Sequence, residues 1–180
     1  MNEFFFFDNI VLVEGPTEHI VVTHIASKLG LEIHVIDCLG KANIPLFGKI
    51  LNHFNTPYLV IHDADTPKVK RKSEMISGAM WTVNQSIREV VAQSTKAAIF
   101  TQFPHFEGEF LAEELKAGKV DRVLELQADT TTVEYQVVFE TYTKVLARDL
   151  SVLTTEQAAF EAKRDAYIAK NSLLGNPFWY

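Results

Sequence analysis

The chain contains a single cysteine, Cys38. That excludes an internal disulfide framework and fits a reducing compartment, so a cytoplasmic location is expected. No apolar run comes near the roughly 20 residues needed to span a bilayer, so no membrane partner is expected. The opening, MNEFFFFDN, is too short and too acidic to resemble a secretory signal. Positive charge is in deficit: 23 acidic residues against 17 basic ones leave a net charge of −6. This argues against a broad basic face that grips nucleic acid. It does not exclude a nucleic-acid enzyme, because bound divalent cations invert the local field where acids cluster. No repeat and no low-complexity tract is visible.

What is present is an ordinary globular composition, 47% hydrophobic and 22% charged over 180 residues. That length suits one domain with a small appendage. Ile10 to Val13 read as a short buried strand with Glu14 at its end. Gly15 and Pro16 turn the chain, and Thr17 is placed to cap a helix that carries Glu18 in its first turn. Before this strand, Phe4 to Phe7 are four consecutive aromatics, read as an edge strand or core plug, or as a docking surface.

The helix closes at Gly30, and Ile33 to Cys38 form a second strand. Gly40 and Lys41 lie in the following loop, and Asn43 can cap a helix reaching Phe54. Tyr58 to Ile61 make a third strand, followed at once by His62, Asp63 and Asp65. Strand, helix, strand, helix, strand at this spacing predicts parallel βαβ units. Thr66 to Lys72 reads as an exposed basic loop. Ser73 to Ser94 reads as a long helix through Met75, Ile76, Met80, Val83, Ile87 and Val91, weakened a little by Gly78. Ala97 to Phe100 is a fourth strand, and Glu109 to Leu115 a short helix.

Within PHFEGEF, neither Glu107 nor Glu109 pairs obviously with a base. Val120 to Leu126 fits strand or helix, Asp129 to Thr132 a turn and cap, and Tyr135 to Leu146 a helix. A last helix runs from about Thr155 to Ala169. The expected organisation is an α/β body over residues 1–115, with a central four-stranded parallel sheet flanked by helices, and a mainly helical extension over 116–180.

The acids matter together. Loops leaving the carboxyl ends of parallel strands share one edge, where such folds bind ligands. Glu14 follows the first strand, and Asp63 and Asp65 follow the third. Glu18 can approach the same space from one helical turn away. Four carboxylates converging without a cation repel strongly, and hard oxygen ligands suit magnesium or manganese better than zinc. One or two such ions can hold a phosphodiester and activate water. Asp63 and Asp65 are then the main anchors, with Glu14 as proton-transfer group or shared ligand. His62 can support the acids from behind, with ordinary packing as the plainer reading. Cys38 reads as a buried thiol.

VLVEGPTE followed by VIHDADTPK resembles the Toprim domain, most closely the version found in the OLD (overcoming-lysogenization defect) family of nucleases. The family's EGxTE lies on Glu14, Gly15, Thr17 and Glu18, and its DxD on Asp63 and Asp65. The glycine-lysine-asparagine loop of that branch is matched by Gly40, Lys41 and Asn43. The resemblance implies a DNA endonuclease dependent on Mg2+ or Mn2+, with two ions expected, and a role in defence against phage. A later glutamate of that branch corresponds to Glu107. A basic residue in the helical part corresponds to Lys144, with Lys163 and Lys170 as the other candidates. Lys41, Lys68, Lys70, Arg71 and Lys72 are the candidate DNA contacts, against a plain solvated loop for the last four. The ATPase half of full-length OLD enzymes, with its GxxxxGK[ST] loop, has no counterpart here. An ABC-type ATPase partner or a homo-oligomer is therefore expected.

Two other enzyme readings fit less well. A dehalogenase-type phosphatase leaves EGPTE unexplained, and a topoisomerase or primase needs further domains. The alternative from a different class is an inactive Toprim-like interaction or regulatory module.

Overall fold

Ile10–Val13 form strand β1 with all four residues buried, because helices cover both faces of the sheet it enters. The computed structural model describes residues 9–113, 115 and 117–180. The aromatic run Phe4 to Phe7 lies outside the described residues. Strands β2 (His34–Asp37), β3 (Tyr58–Asp63) and β6 (Ala97–Gln102) complete a four-stranded sheet in the order β2-β1-β3-β6. Every neighbouring pair is parallel.

Side chains alternate between the two faces. Val11, Val13, Leu59, Ile61 and Phe100 meet helices α1 (Pro16–Leu29), α5 (Lys119–Ala128) and α6 (Val133–Leu146). Ile10, Leu12, Tyr58, Val60 and Ile99 meet α2 (Ile44–His53) and α3 (Ala79–Val91) on the other face. The helical extension thus completes one face of the sheet. A third cluster, Ala64, Phe103, Phe160, Ile168 and Trp179, joins the carboxyl edge to α7 (Gln157–Lys170).

Several expectations are corrected. Thr17 does not cap α1; it is buried in the first turn, and Gly15 occupies the cap position without a side-chain bond. Asn43 stands at the start of α2, but its amide donates to the carbonyls of Cys38 and Leu39 and so braces the preceding loop. The short helix near Glu109 is α4, Phe106–Phe110. Residues 73–94 are not one helix. Lys68–Arg71 (β4) and Glu74–Ser77 (β5) form an antiparallel hairpin, and α3 begins only after Gly78.

Gly78 explains the break. Its N–H donates to the Pro67 carbonyl, and a Cβ there would lie 2.4 Å from the backbone oxygen of Thr66. Gly78→Ala is expected to cost about 1–3 kcal/mol in urea unfolding, the range for an inserted methyl that backbone must move to admit. An unchanged midpoint would show that the hairpin junction yields freely.

Candidate functional site

In the order β2-β1-β3-β6, the second strand is added on one side of β1 and the third on the other, so the strand order switches between β1 and β3, the position at which open parallel sheets leave a crevice. Glu14 leaves β1 there and Asp63 ends β3. The Glu14 carboxylate accepts the backbone N–H of Asp63, so the two motifs are in direct contact. Gly40 also comes to this edge, its N–H donating to the Glu14 carbonyl at 2.8 Å. Its φ of 116° suits only glycine.

The acids lie within one another's fields. Burial, and then Glu18, Glu14 and Asp65, hold the Asp63 carboxyl well above the usual range. Burial, with Glu14 and Glu107 beside it, pushes Glu18 up to about 7. Glu14 is raised chiefly by burial, against the pull of Lys41. Asp65 adopts a left-handed φ of 62°, a conformation aspartate tolerates better than most residues. Its N–H donates to the Pro104 carbonyl at 2.8 Å. The intervening Ala64 turns away into the third apolar cluster.

Two lysines answer this negative charge. Lys41 is fully buried and donates to Asp65 Oδ2 at 2.6 Å and to the Ala64 carbonyl at 3.2 Å. Its ammonium thus meets the acids and not solvent. Lys119, at the start of α5, lies 3.0 Å from Glu107 Oε2. Burial alone would raise Glu107, but the hydrogen bonds of His105 and Lys119 outweigh it and bring the carboxyl down to about 2. Glu107 lies close enough to Glu18 for its charge to act on that carboxyl. Lys119 also feels Asp63 and Glu18.

Lys144 is not brought to the acids: it pairs with Glu140 one turn away on α6, at 2.7 Å. Lys163 lies closer to the site's support. It donates to the Thr101 carbonyl at 2.7 Å and pairs with Glu109 Oε1, also at 2.7 Å. Glu109 Oε2 in turn accepts the Phe103 N–H. Both glutamates of PHFEGEF are therefore paired with lysines from distant helices. Lys68, Lys70 and Arg71 stand exposed on β4, with Lys72 at the hairpin turn.

His62 supports the backbone: Nδ1 donates to the Asp63 carbonyl at 2.8 Å, and Nε2 accepts from Thr101 at 3.2 Å. Burial holds its pKa well below the usual value, so the ring is neutral. Cys38 is buried, and burial pushes its thiol up to about 12.

Among the described residues, no group of three or more His, Cys, Asp or Glu side chains is arranged as a metal site. The ammonium groups on Asp65 and Glu107 give a reason, since each engages a carboxylate oxygen that a cation would need. The donor set nevertheless fits a hard divalent ion. Glu14 Oε2 and Glu107 Oε1 are both buried without a hydrogen-bond partner, a costly state for carboxylate oxygens in the absence of a cation.

Residues 5–65 match the family described as overcoming lysogenization defect protein-like, TOPRIM domain. A protein named OLD nuclease from Thermus scotoductus is 29% identical to the chain over a stretch that covers 48% of the chain and 19% of that protein. The match therefore spans about a fifth of that relative's length. No helix among the described residues is long and apolar enough to cross a membrane.

Proposed function

We propose, taking the OLD-like TOPRIM domain of residues 5–65 as the premise, that the chain is a divalent-metal-dependent endonuclease acting on DNA phosphodiester bonds. One observation carries the reading: the EGPTE and DAD motifs meet at one sheet edge, leaving Glu14 Oε2 buried and unpartnered. Asp63, Asp65 and Glu14 would hold Mg2+ or Mn2+, with Glu18 and Glu107 completing the donor set for a second ion. When bound, such ions supply Lewis acidity toward a phosphodiester and its attacking water. In the metal-free chain burial and the neighbouring acids hold the Glu18 carboxyl up to about 7, so a bound cation would take the place of its proton.

Lys119 replaces Lys144 in this reading as the basic residue beside the acids, because it alone of the two feels Asp63 and Glu18. Lys68, Lys70, Arg71 and Lys72 supply phosphate contacts on the exposed hairpin. On the resemblance to the OLD family, the proposal extends to phage defence in the cytoplasm, with an ABC-type ATPase partner or a second copy. The inactive interaction module also has an observation in its favour: Lys41 and Lys119 already neutralise part of the cluster.

Nicking of supercoiled plasmid with Mn2+ and with Mg2+, alongside calorimetric metal titration, separates the two readings. Cleavage that chelation stops is expected, falling about 10²-fold in Lys119→Ala and unchanged in Lys144→Ala. A chain that neither binds either metal nor cuts is the interaction module.

A further inference from the structure

Beside the acids lies a second recess with different chemistry. It has a volume of about 450 Å³ and lies between the β4–β5 hairpin and the C-terminal residues, within the span of about 300–1,000 Å³ usual for small-ligand sites. Tyr167, Phe178 and Trp179 give it flat aromatic walls, and Thr66 and Lys70 supply polar groups. Trp179 is nearly buried and fixed by its ring contacts with Trp81 and Tyr167. The backbone closes the recess from the hairpin side, where the Lys68 N–H donates to the Phe178 carbonyl at 3.1 Å.

We propose that this recess seats an unpaired nucleobase of a single-stranded DNA segment whose backbone crosses the hairpin. The inference rests on the nuclease reading and names the form of substrate that the acids would meet. Three observations support it. The recess borders the acid site, because Thr66 follows Asp65, and the carbonyl of Pro104, another lining residue, accepts the Asp65 N–H. Charge is complementary: residues 68–72 carry four basic side chains and no acid, in a chain whose net charge is −6. The walls are chemically apt, since bases stack on aromatic rings with little regard to sequence while lysine and arginine follow the phosphates. A base stacked inside a duplex does not offer its faces to such walls, so a duplex is not the occupant.

The test uses the full chain with oligothymidylate in the presence of a chelator, so that no cutting is required. The only tryptophans are Trp81 and Trp179. In Trp81→Phe, all tryptophan emission therefore comes from the recess, and oligothymidylate is expected to quench it. Tyr167→Leu, at a half-exposed position, is expected to weaken binding about tenfold. An abasic oligonucleotide with the same number of phosphates is expected to bind about tenfold more weakly and to leave the emission unchanged. Equal binding of the abasic strand, or quenching by a duplex of the same length, overturns the proposal. Plasmid cleavage without oligothymidylate quenching defeats the base site alone. Quenching in a chain that never cuts defeats the nuclease reading alone.

Discussion

Asp63→Asn is expected to reduce metal-dependent plasmid cleavage by about 10³-fold or more while leaving the metal-free chain more stable than the parent at pH 8. The two effects have one cause. Asp63 lies in the fields of Glu18, Glu14 and Asp65, with burial raising its pKa further. Its Oδ1 accepts the Phe106 N–H at 3.1 Å, a bond that the asparagine carbonyl retains. Removing the charge therefore relieves repulsion without orphaning a donor. A gain of about 1 kcal/mol is expected, which at this chain length raises the melting temperature by about 2–4 °C. The same change withdraws the anionic oxygen on which a cation would depend. Cleavage at the parental rate in a folded Asp63→Asn protein would remove this residue from the site.

Without added metal, stability is expected to fall as pH rises from about 4.5 to about 7. Glu18 has its pKa raised from 4.5 to about 7, so between those values the folded state binds more protons than the unfolded one. Unfolding free energy declines across that window by on the order of 3 kcal/mol, then levels off. Asp63 acts in the same sense. Glu107, lowered to about 2, acts in the opposite sense: its contribution is present above pH 4.5 and is lost as pH falls toward 2. The metal-free optimum should therefore lie on the mildly acidic side. Urea unfolding from pH 4.5 to 8 measures this directly. Glu18→Gln should flatten the decline, and Mn2+ should offset it in the parent by stabilising the charged forms. An identical decline in Glu18→Gln would show that the loss originates elsewhere.

The sequence speaks most clearly where one local pattern has one physical solution. Ile10 to Val13 are continuously apolar because β1 is covered on both faces, and Glu14 follows at the only edge open to it. The meeting of Glu14 with Asp63 was legible from two strand ends alone. The hairpin was hidden because Met75, Ile76, Met80 and Val83 keep a helical spacing straight across Gly78. The strand Glu74–Ser77 is distinguished only by its pairing with Lys68–Arg71. Pairings of Lys119 with Glu107 and of Lys163 with Glu109 left no local signature. Each joins segments that only the completed fold brings together. Lys144 satisfied the expectation of a basic residue on a late helix, yet its nearest carboxylate is Glu140, one turn away.

The strand order carries a consequence for persistence. β1 and β3 are the two inner strands, each hydrogen-bonded to a neighbour on both sides. Local opening starts at edges and surface hairpins, and amide protons of inner strands exchange only through much larger excursions. The segments that carry Glu14 and Asp63 are thus anchored in the part of the molecule slowest to exchange with solvent. Fraying of β2, β6 or the basic hairpin can come and go while those two carboxylates keep their spacing.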